Sequence, residues 1–475
     1  MVWAAPEPAT HSMVSDRRLA GSVDVTRAPG PPQPSGTPDC EHILSQATFF
    51  NRQAFHLRPD ASRVVVRPFK PATEPRDLNP TDKTRANHIV DRVLSMPSEL
   101  VLSQLDEVLE SFLGRHRNLM QIFEARADEM EVALAPHTPF SQETRRLVGA
   151  YFMHEYSFEA AALFNPSIVT HPDQAGVEPG AKRFILSLRA VGEGHISSLT
   201  FRSGIILADG SVTVDPPARL ASLPTLLSPI VYGEDKPVDL AFSPEEELSE
   251  RVIFPVTAAQ SNGIEDARFV EFDDSGKRIF YATYTAYTGR AIRSELLETH
   301  DFVKFRLSPL KGDAANNKGM ALFPRKLGGK YAMIGRQDNE NLHLIYSDDL
   351  YTWKGGKAIL RPQFPWEYVQ MGNCGSPIEL DEGWLLLTHG VGPVRRYSIG
   401  AVLLDKEDPS RVLARSRAPL VRPEPSDRSG YVPNVVYTCG GMRHGARIIL
   451  PYAVSDTFSA VATIKIDALL ETLRS

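Results

Sequence analysis

Two adjacent carboxylates and a guanidinium fall within four residues in Gly263-Ile264-Glu265-Asp266-Ala267-Arg268, after Ser261-Asn262 and before the strand-like Phe269-Val270-Glu271-Phe272. An acid, an anion and a cation on one loop suit proton transfer or the binding of a polar ligand. Taken alone, such a triplet is more often a solvated surface ion pair. Its meaning depends on what the fold brings beside it.

Polar residues of matching chemistry recur where short apolar strands end: Arg189, Tyr284 and Tyr287, Arg336 and Asp338, His389, and Asp456. Each has a plain structural role when considered singly. Arg189 and Arg336 make ordinary ion-pair residues, His389 a satisfied buried histidine, Lys318 a turn lysine in Asn316-Asn317-Lys318-Gly319, and Tyr397 a strand aromatic. Together, Arg268, Lys318, Arg336 and His389 would form a cationic cluster suited to an oxyanion such as phosphate. Glu265, Asp266 and Asp456 would then supply acceptors for sugar hydroxyls and one proton donor. No metal is expected, because no acidic loop has calcium spacing and His389 has no histidine four residues on.

The elements that must position these residues are mostly strands. After Asn165-Pro166 the apolar period switches from helical to alternating, and a strand, polar loop, strand pattern recurs five times. Its copies begin at Arg183, Arg278, Lys330, Gly383 and Ala446, the last four roughly 50 to 60 residues apart. This spacing predicts a five-bladed β-propeller over 161–475, with a β-sandwich as the rival arrangement. The longer first gap holds Pro216-Pro217 and Glu245-Glu246-Glu247, an expected insertion over one face. Before the boundary near 160, Leu102, Leu105, Leu109 and Phe112 follow Pro97 at helical spacing, and further runs start at Leu119 and near Leu147. Residues 46–160 are therefore expected to be an N-terminal α-helical extension, serving as a lid or as a homo-oligomer interface. Residues 1–45, with Gly30-Pro31-Pro32-Gln33-Pro34, are expected to be a disordered tail.

Composition excludes several classes. The 475 residues are 42% hydrophobic and 23% charged, with a formal net charge of -6 and no basic stripe for nucleic acid. Cys40, Cys374 and Cys439 lie far apart without zinc spacing, which fits a reducing compartment. Neither a signal-peptide core nor a run of about 20 apolar residues is visible, so a cytoplasmic protein that engages no membrane is expected.

Several of these motifs, in order, resemble glycoside hydrolase family 130, the β-mannoside phosphorylases and β-1,2-mannosidases. They are Phe164-Asn165-Pro166, Gly263 to Arg268, Asn317-Lys318 through Pro324-Arg325, Gly383-Trp384 through His389-Gly390, Tyr397 with Leu403-Leu404-Asp405 and Asp408-Pro409, Arg422-Pro423-Glu424, and Pro451-Tyr452 through Asp456-Thr457. The resemblance implies a five-bladed propeller and inverting phosphorolysis of β-mannosides, with short β-1,2-linked manno-oligosaccharides as substrates. It implies Asp266 as catalytic acid, acting through the mannosyl 3-hydroxyl. It also implies Arg268, Lys318, Arg336, His389 and Tyr397 as the phosphate set, and Asn165, Arg189, Glu265 and Asp456 as mannosyl contacts. No cofactor is expected, phosphate being a co-substrate and α-mannose 1-phosphate the product. Ala267 stands where the family usually has Pro, and Gly335 where a histidine often precedes the arginine. Asp338, Glu340 and Glu367 offer carboxylates from which a hydrolase would draw its base. The alternatives are a β-1,2-mannosidase and a noncatalytic glycan-binding module on the same scaffold.

Overall fold

The computed structural model describes residues 50–72, 83–134, 139–228 and 235–474. The expected tail at 1–45 lies outside them. The chain is mostly β, with five α-helices among the described residues. None of these helices is long and apolar enough to cross a membrane.

The expected five-bladed propeller requires correction. Among the described residues the strands form sheets of eleven, five, five, four and two strands, and none of these closes on itself. The strands that would have begun the first two blades, Lys182–Val191 and Lys277–Tyr287, belong to one eleven-stranded sheet. Its two halves join where Gly263 pairs in parallel with Ser197. Gly263 has φ +143°, and a Cβ there would lie 2.9 Å from the Ser197 backbone nitrogen, so only glycine admits this approach. An alternating apolar period reveals that a strand exists but not which neighbour it pairs with.

The all-β class with an N-terminal helical extension is corrected as well. Strand Phe50–Leu57 pairs with Phe458–Lys465, so the earliest described residues complete the C-terminal sheet. Helices Arg85–Leu94, Ser98–Phe112, Leu119–Leu134 and Gln142–Tyr151 lie between two strands, Val64–Pro68 and Met153–Ser157, that pair with each other. They are inserted within a hairpin, not appended to a domain.

Local sequence explains these helices. Thr84 and Asn87 form a reciprocal capping box, and the Ser141 hydroxyl accepts from the Thr144 amide. Val90, Val93, Val101, Leu147 and Val148 pack with Phe152 into a small core. In the second helix Val101 and Leu105 face inward while Leu102 stays 47% exposed, a rotation of the expected face. Gly149 sits against the Phe123 carbonyl with no room for a Cβ, which lets the third and fourth helices approach closely.

Ion pairs tie this insertion to the sheets. Glu159 is fully buried between Arg63 (3.1 Å) and Arg202 (3.1 Å), and Arg63 also donates to the Ser249 carbonyl. Arg117 forks onto buried Glu250 at 2.6 and 2.8 Å. Such pairs specify geometry more than they add stability, but breaking one strands a buried charge.

Candidate functional site

Two bulges build the centre of the site. Between the pairs Glu265↔Thr285 and Arg268↔Thr283, Asp266 and Ala267 oppose the single residue Tyr284. Between Phe164↔Arg189 and Ser167↔Ser187, Asn165 and Pro166 oppose only Leu188. Each bulge carries a left-handed residue, Asp266 at φ 54° and Asn165 at φ 48°. Asp and Asn tolerate this conformation best, and Pro166 needs no ladder partner. The bulges turn both side chains to the same point: Asn165 Nδ2 donates to Asp266 Oδ1 at 2.6 Å.

Arg189 locks this pair to its neighbours. Its Nη1 donates to Asp266 Oδ1 at 3.3 Å, its Nη2 to Glu265 Oε1 at 2.7 Å and its Nε to Ser197 Oγ at 2.9 Å. Lys318 Nζ lies 3.8 Å from Glu265 Oε2. Asp456, left-handed at φ 48° in the turn between Arg447–Val454 and Phe458–Lys465, interacts electrostatically with Arg189, Asp266 and Glu265.

The second cluster is cationic and buried. Arg268 donates through Nη2 to Tyr437 Oη at 2.7 Å, and Arg336 Nη1 lies 3.5 Å from His389 Nε2. His389 Nδ1 is 3.2 Å from the Asn373 carbonyl, an arrangement that puts the ring proton on Nδ1 and leaves Nε2 as an acceptor. Tyr397 stacks on His389 with centroids 6.0 Å apart, and Tyr437 meets the same ring edge-on at 5.0 Å. The buried Nε atoms of both Arg268 and Arg336 have no hydrogen-bond partner. Two buried guanidiniums side by side have the chemistry that suits a multivalent anion.

Electrostatics divides the carboxyls. Burial pushes Asp266 up, but Arg189, Lys318, Arg268 and the Asn165 amide outweigh it and hold the carboxyl at about 2. Burial also pushes Asp456 up, and there it prevails, to about 6; Asp266 and Glu265 add to this, while Arg189 and Arg395 oppose it. Burial, reinforced by Arg336 and Arg268, holds His389 well below the ordinary imidazole range, so its ring is neutral at pH 7.

All ten candidate side chains thus fall in two adjoining clusters that meet at Asp266 and Arg268. Other candidates lead elsewhere. Tyr284 is buried and donates to Glu295 at 2.5 Å, Tyr287 donates to the Gly289 carbonyl, and Asp338 accepts from Asn341. Glu367 is gripped by Arg415 Nη2 at 2.7 Å from both oxygens. Sequence reasoning missed Tyr437 and Asn373, which orient Arg268 and His389. Tyr437 resembles a core aromatic within an apolar strand, and nothing local marks either residue.

The family model described as beta-1,4-mannooligosaccharide phosphorylase, of glycoside hydrolase family 130, matches residues 243–475. A 1,2-beta-oligomannan phosphorylase of Thermoanaerobacter is 35% identical over 223 residues, 46% of this chain and 73% of that protein. A beta-1,2-mannobiose phosphorylase of the same organism is 32% identical over 46% of this chain and 72% of its own length. A Listeria innocua beta-1,2-mannobiose phosphorylase is 32% identical, with 46% of this chain spanning 63% of the relative. The solved Listeria innocua beta-1,2-mannobiose phosphorylase in complex with beta-1,2-mannobiose aligns with 66% of this chain and 92% of its own, at 22% identity and a TM-score of 0.47. From the family match and the extent of these relatives, the chain belongs to glycoside hydrolase family 130.

Proposed function

We propose that the protein is an inverting phosphorylase that cleaves β-mannosides, in particular β-1,2-linked manno-oligosaccharides, with inorganic phosphate to give α-mannose 1-phosphate. The observation that carries this reading is the pair of buried guanidiniums, Arg268 and Arg336, that act electrostatically on the Asp266 carboxyl. The phosphorylase relatives support it from a separate direction.

Phosphate would be held by Arg268, Lys318, Arg336, His389 and Tyr397, and the mannosyl unit by Asn165, Arg189, Glu265 and Asp456. Asp266 acts as the acid. Its proton passes to the mannosyl 3-hydroxyl, which gives its own proton to the glycosidic oxygen. The C1–O bond to the leaving sugar breaks as a phosphate oxygen bonds to C1 from the opposite face. Asp266 ends as a carboxylate, and the leaving sugar departs with a hydroxyl.

Asp266 must be protonated to begin this cycle, although its cationic surroundings hold it near 2 without ligands. A bound phosphate dianion supplies the correction. Its charge offsets Arg268 and Lys318, two of the groups that depress Asp266, and a like charge nearby raises a carboxyl pKa. Inverting hydrolysis would also need a carboxylate to activate water. Of the three carboxylates from which a hydrolase would draw its base, Glu367 is bound by Arg415 and Asp338 by Asn341, while Glu340 is exposed. A cytoplasmic address, where phosphate is plentiful, is part of the proposal. The test is incubation with β-1,2-mannobiose with and without phosphate. Sugar phosphate formed only with phosphate supports the reading, and free mannose released equally in both would overturn it.

A further inference from the structure

Two hairpin turns near the site share an unusual backbone. Gly192 (φ −113°, ψ −155°) leads into Gly194 and His195 at φ 67° and 59°, and Gly392 (φ −107°, ψ −162°) leads into Val394 and Arg395 at φ 57° and 52°. The residues at both tips are exposed, Val394 to 88%. A β-branched residue in the left-handed region is strained by roughly 1–3 kcal/mol, and such strain gathers at functional sites.

The first turn is braced from outside the sheet that bears it. Tyr156, in the strand that closes the helical insertion, donates its hydroxyl to the Glu193 carbonyl at 2.7 Å. A Cβ on Gly192 would lie 2.3 Å from the Ser157 carbonyl oxygen, so the turn fits closely against that strand. His195 stands here, six residues beyond Arg189. Tyr431 arrives from a distant loop. Its amide donates to Thr457 Oγ1 at 2.7 Å, next to Asp456, and Val432 donates to the Ser455 carbonyl at 3.0 Å. The Tyr431 hydroxyl meets His195 Nδ1 at 2.6 Å, with ring centroids 5.6 Å apart and 44° between planes. Tyr431 remains 49% exposed.

We propose that His195 and Tyr431 form the platform on which the leaving-group sugar rests, an inference that builds on the phosphorolysis reading. A pyranose offers an apolar C–H face and a polar rim, and an aromatic pair joined by a hydrogen bond complements both. His195 and Tyr431 are fixed to the segments that carry Arg189 and Asp456, two of the proposed mannosyl contacts, and the Tyr431 segment runs on to Asn434, whose carbonyl accepts from the Tyr397 amide at 3.0 Å. Arg395, on the second turn, acts on Asp456 from the same mouth.

The experiment is calorimetric binding of β-1,2-mannobiose, with no phosphate present, to D266N, expected to turn over at least a thousandfold more slowly than the wild type, and to D266N/Y431A and D266N/H195A. The platform predicts at least tenfold weaker mannobiose binding in both double variants, with inorganic phosphate affinity within twofold. Unchanged mannobiose affinity in both overturns it. Equal loss of phosphate affinity also overturns it, because collapse of the whole site is not loss of a platform. If Y431A does not fold, H195A and Y431F decide by the same criterion, with a smaller loss expected for Y431F because its ring remains. Absence of phosphate-dependent turnover in the wild type, with binding still sensitive to Y431A, would sink phosphorolysis and leave the platform standing.

Discussion

Replacing Asp456 by Asn tests the electrostatics of the site without any assumption about its reaction. The Asp456 carboxyl is lifted from 3.8 to about 6, first by burial and then by Asp266 and Glu265 against the pull of Arg189 and Arg395. A folded-state value above the unfolded one means that the folded protein favours the protonated form. The resulting stabilisation is fully present below pH 3.8 and is lost as pH rises through about 6. Above that point the wild type carries an ionised, buried carboxylate at a cost of about 3 kcal/mol relative to a carboxyl with no shift. Asn keeps the shape and never ionises. D456N should therefore be more stable than the wild type by up to about 3 kcal/mol at pH 8, a rise of about 3 °C in melting temperature for a chain of this size. The advantage should shrink through pH 6 and vanish near pH 4. Thermal melts at half-unit pH steps give the difference curve directly. A curve that is flat from pH 4 to 8, or D456N less stable at pH 8, would refute the reasoning.

Two further substitutions probe the packing around the site. Glu159→Gln leaves Arg63 and Arg202 buried without their shared carboxylate, and should cost about 3–5 kcal/mol in denaturant unfolding; a loss under about 1 kcal/mol would contradict the description of this triad. Tyr437→Phe removes the hydroxyl that holds Arg268 at 2.7 Å, and should lower kcat/KM for phosphate roughly tenfold, the weight of one hydrogen bond to a charged group. An unchanged phosphate dependence would show that Arg268 needs no such support.

The candidate site was more legible in the sequence than the architecture. Asp266, Arg336, His389 and Asp456 stood out because each follows or interrupts an apolar strand with a group that burial would penalise unless it had partners. The structure brings them together through features that leave faint marks in a sequence. Pro166 signals one bulge, while its counterpart at Asp266-Ala267 carries no such residue. Strand partnership was not legible: the single approach of Gly263 to Ser197 merges two expected blades into one sheet, and Phe50–Leu57 pairs with a strand about 400 residues later. Periodicity encodes which face of an element is apolar, but pairing is set by close contacts between distant segments. Even the face can shift, as when the second helix buries Val101 in place of Leu102. Tyr437 escaped notice because a tyrosine whose hydroxyl serves an arginine looks like any strand aromatic until its partner is placed.

The central claim is that Asp266 gives its proton to the mannosyl 3-hydroxyl, which relays its own to the departing sugar, while phosphate, held by Arg268 and Arg336, attacks from the opposite face. Phosphorus NMR of wild type and D266N with β-1,2-mannobiose and phosphate tests it most directly, with the anomer of the first-formed sugar phosphate assigned from its proton couplings. The account predicts α-mannose 1-phosphate from the wild type and a rate at least a thousandfold lower from folded D266N, the upper part of what a positioned general acid contributes, about 10²–10⁴. The β anomer, or D266N turning over at the wild-type rate, would contradict it.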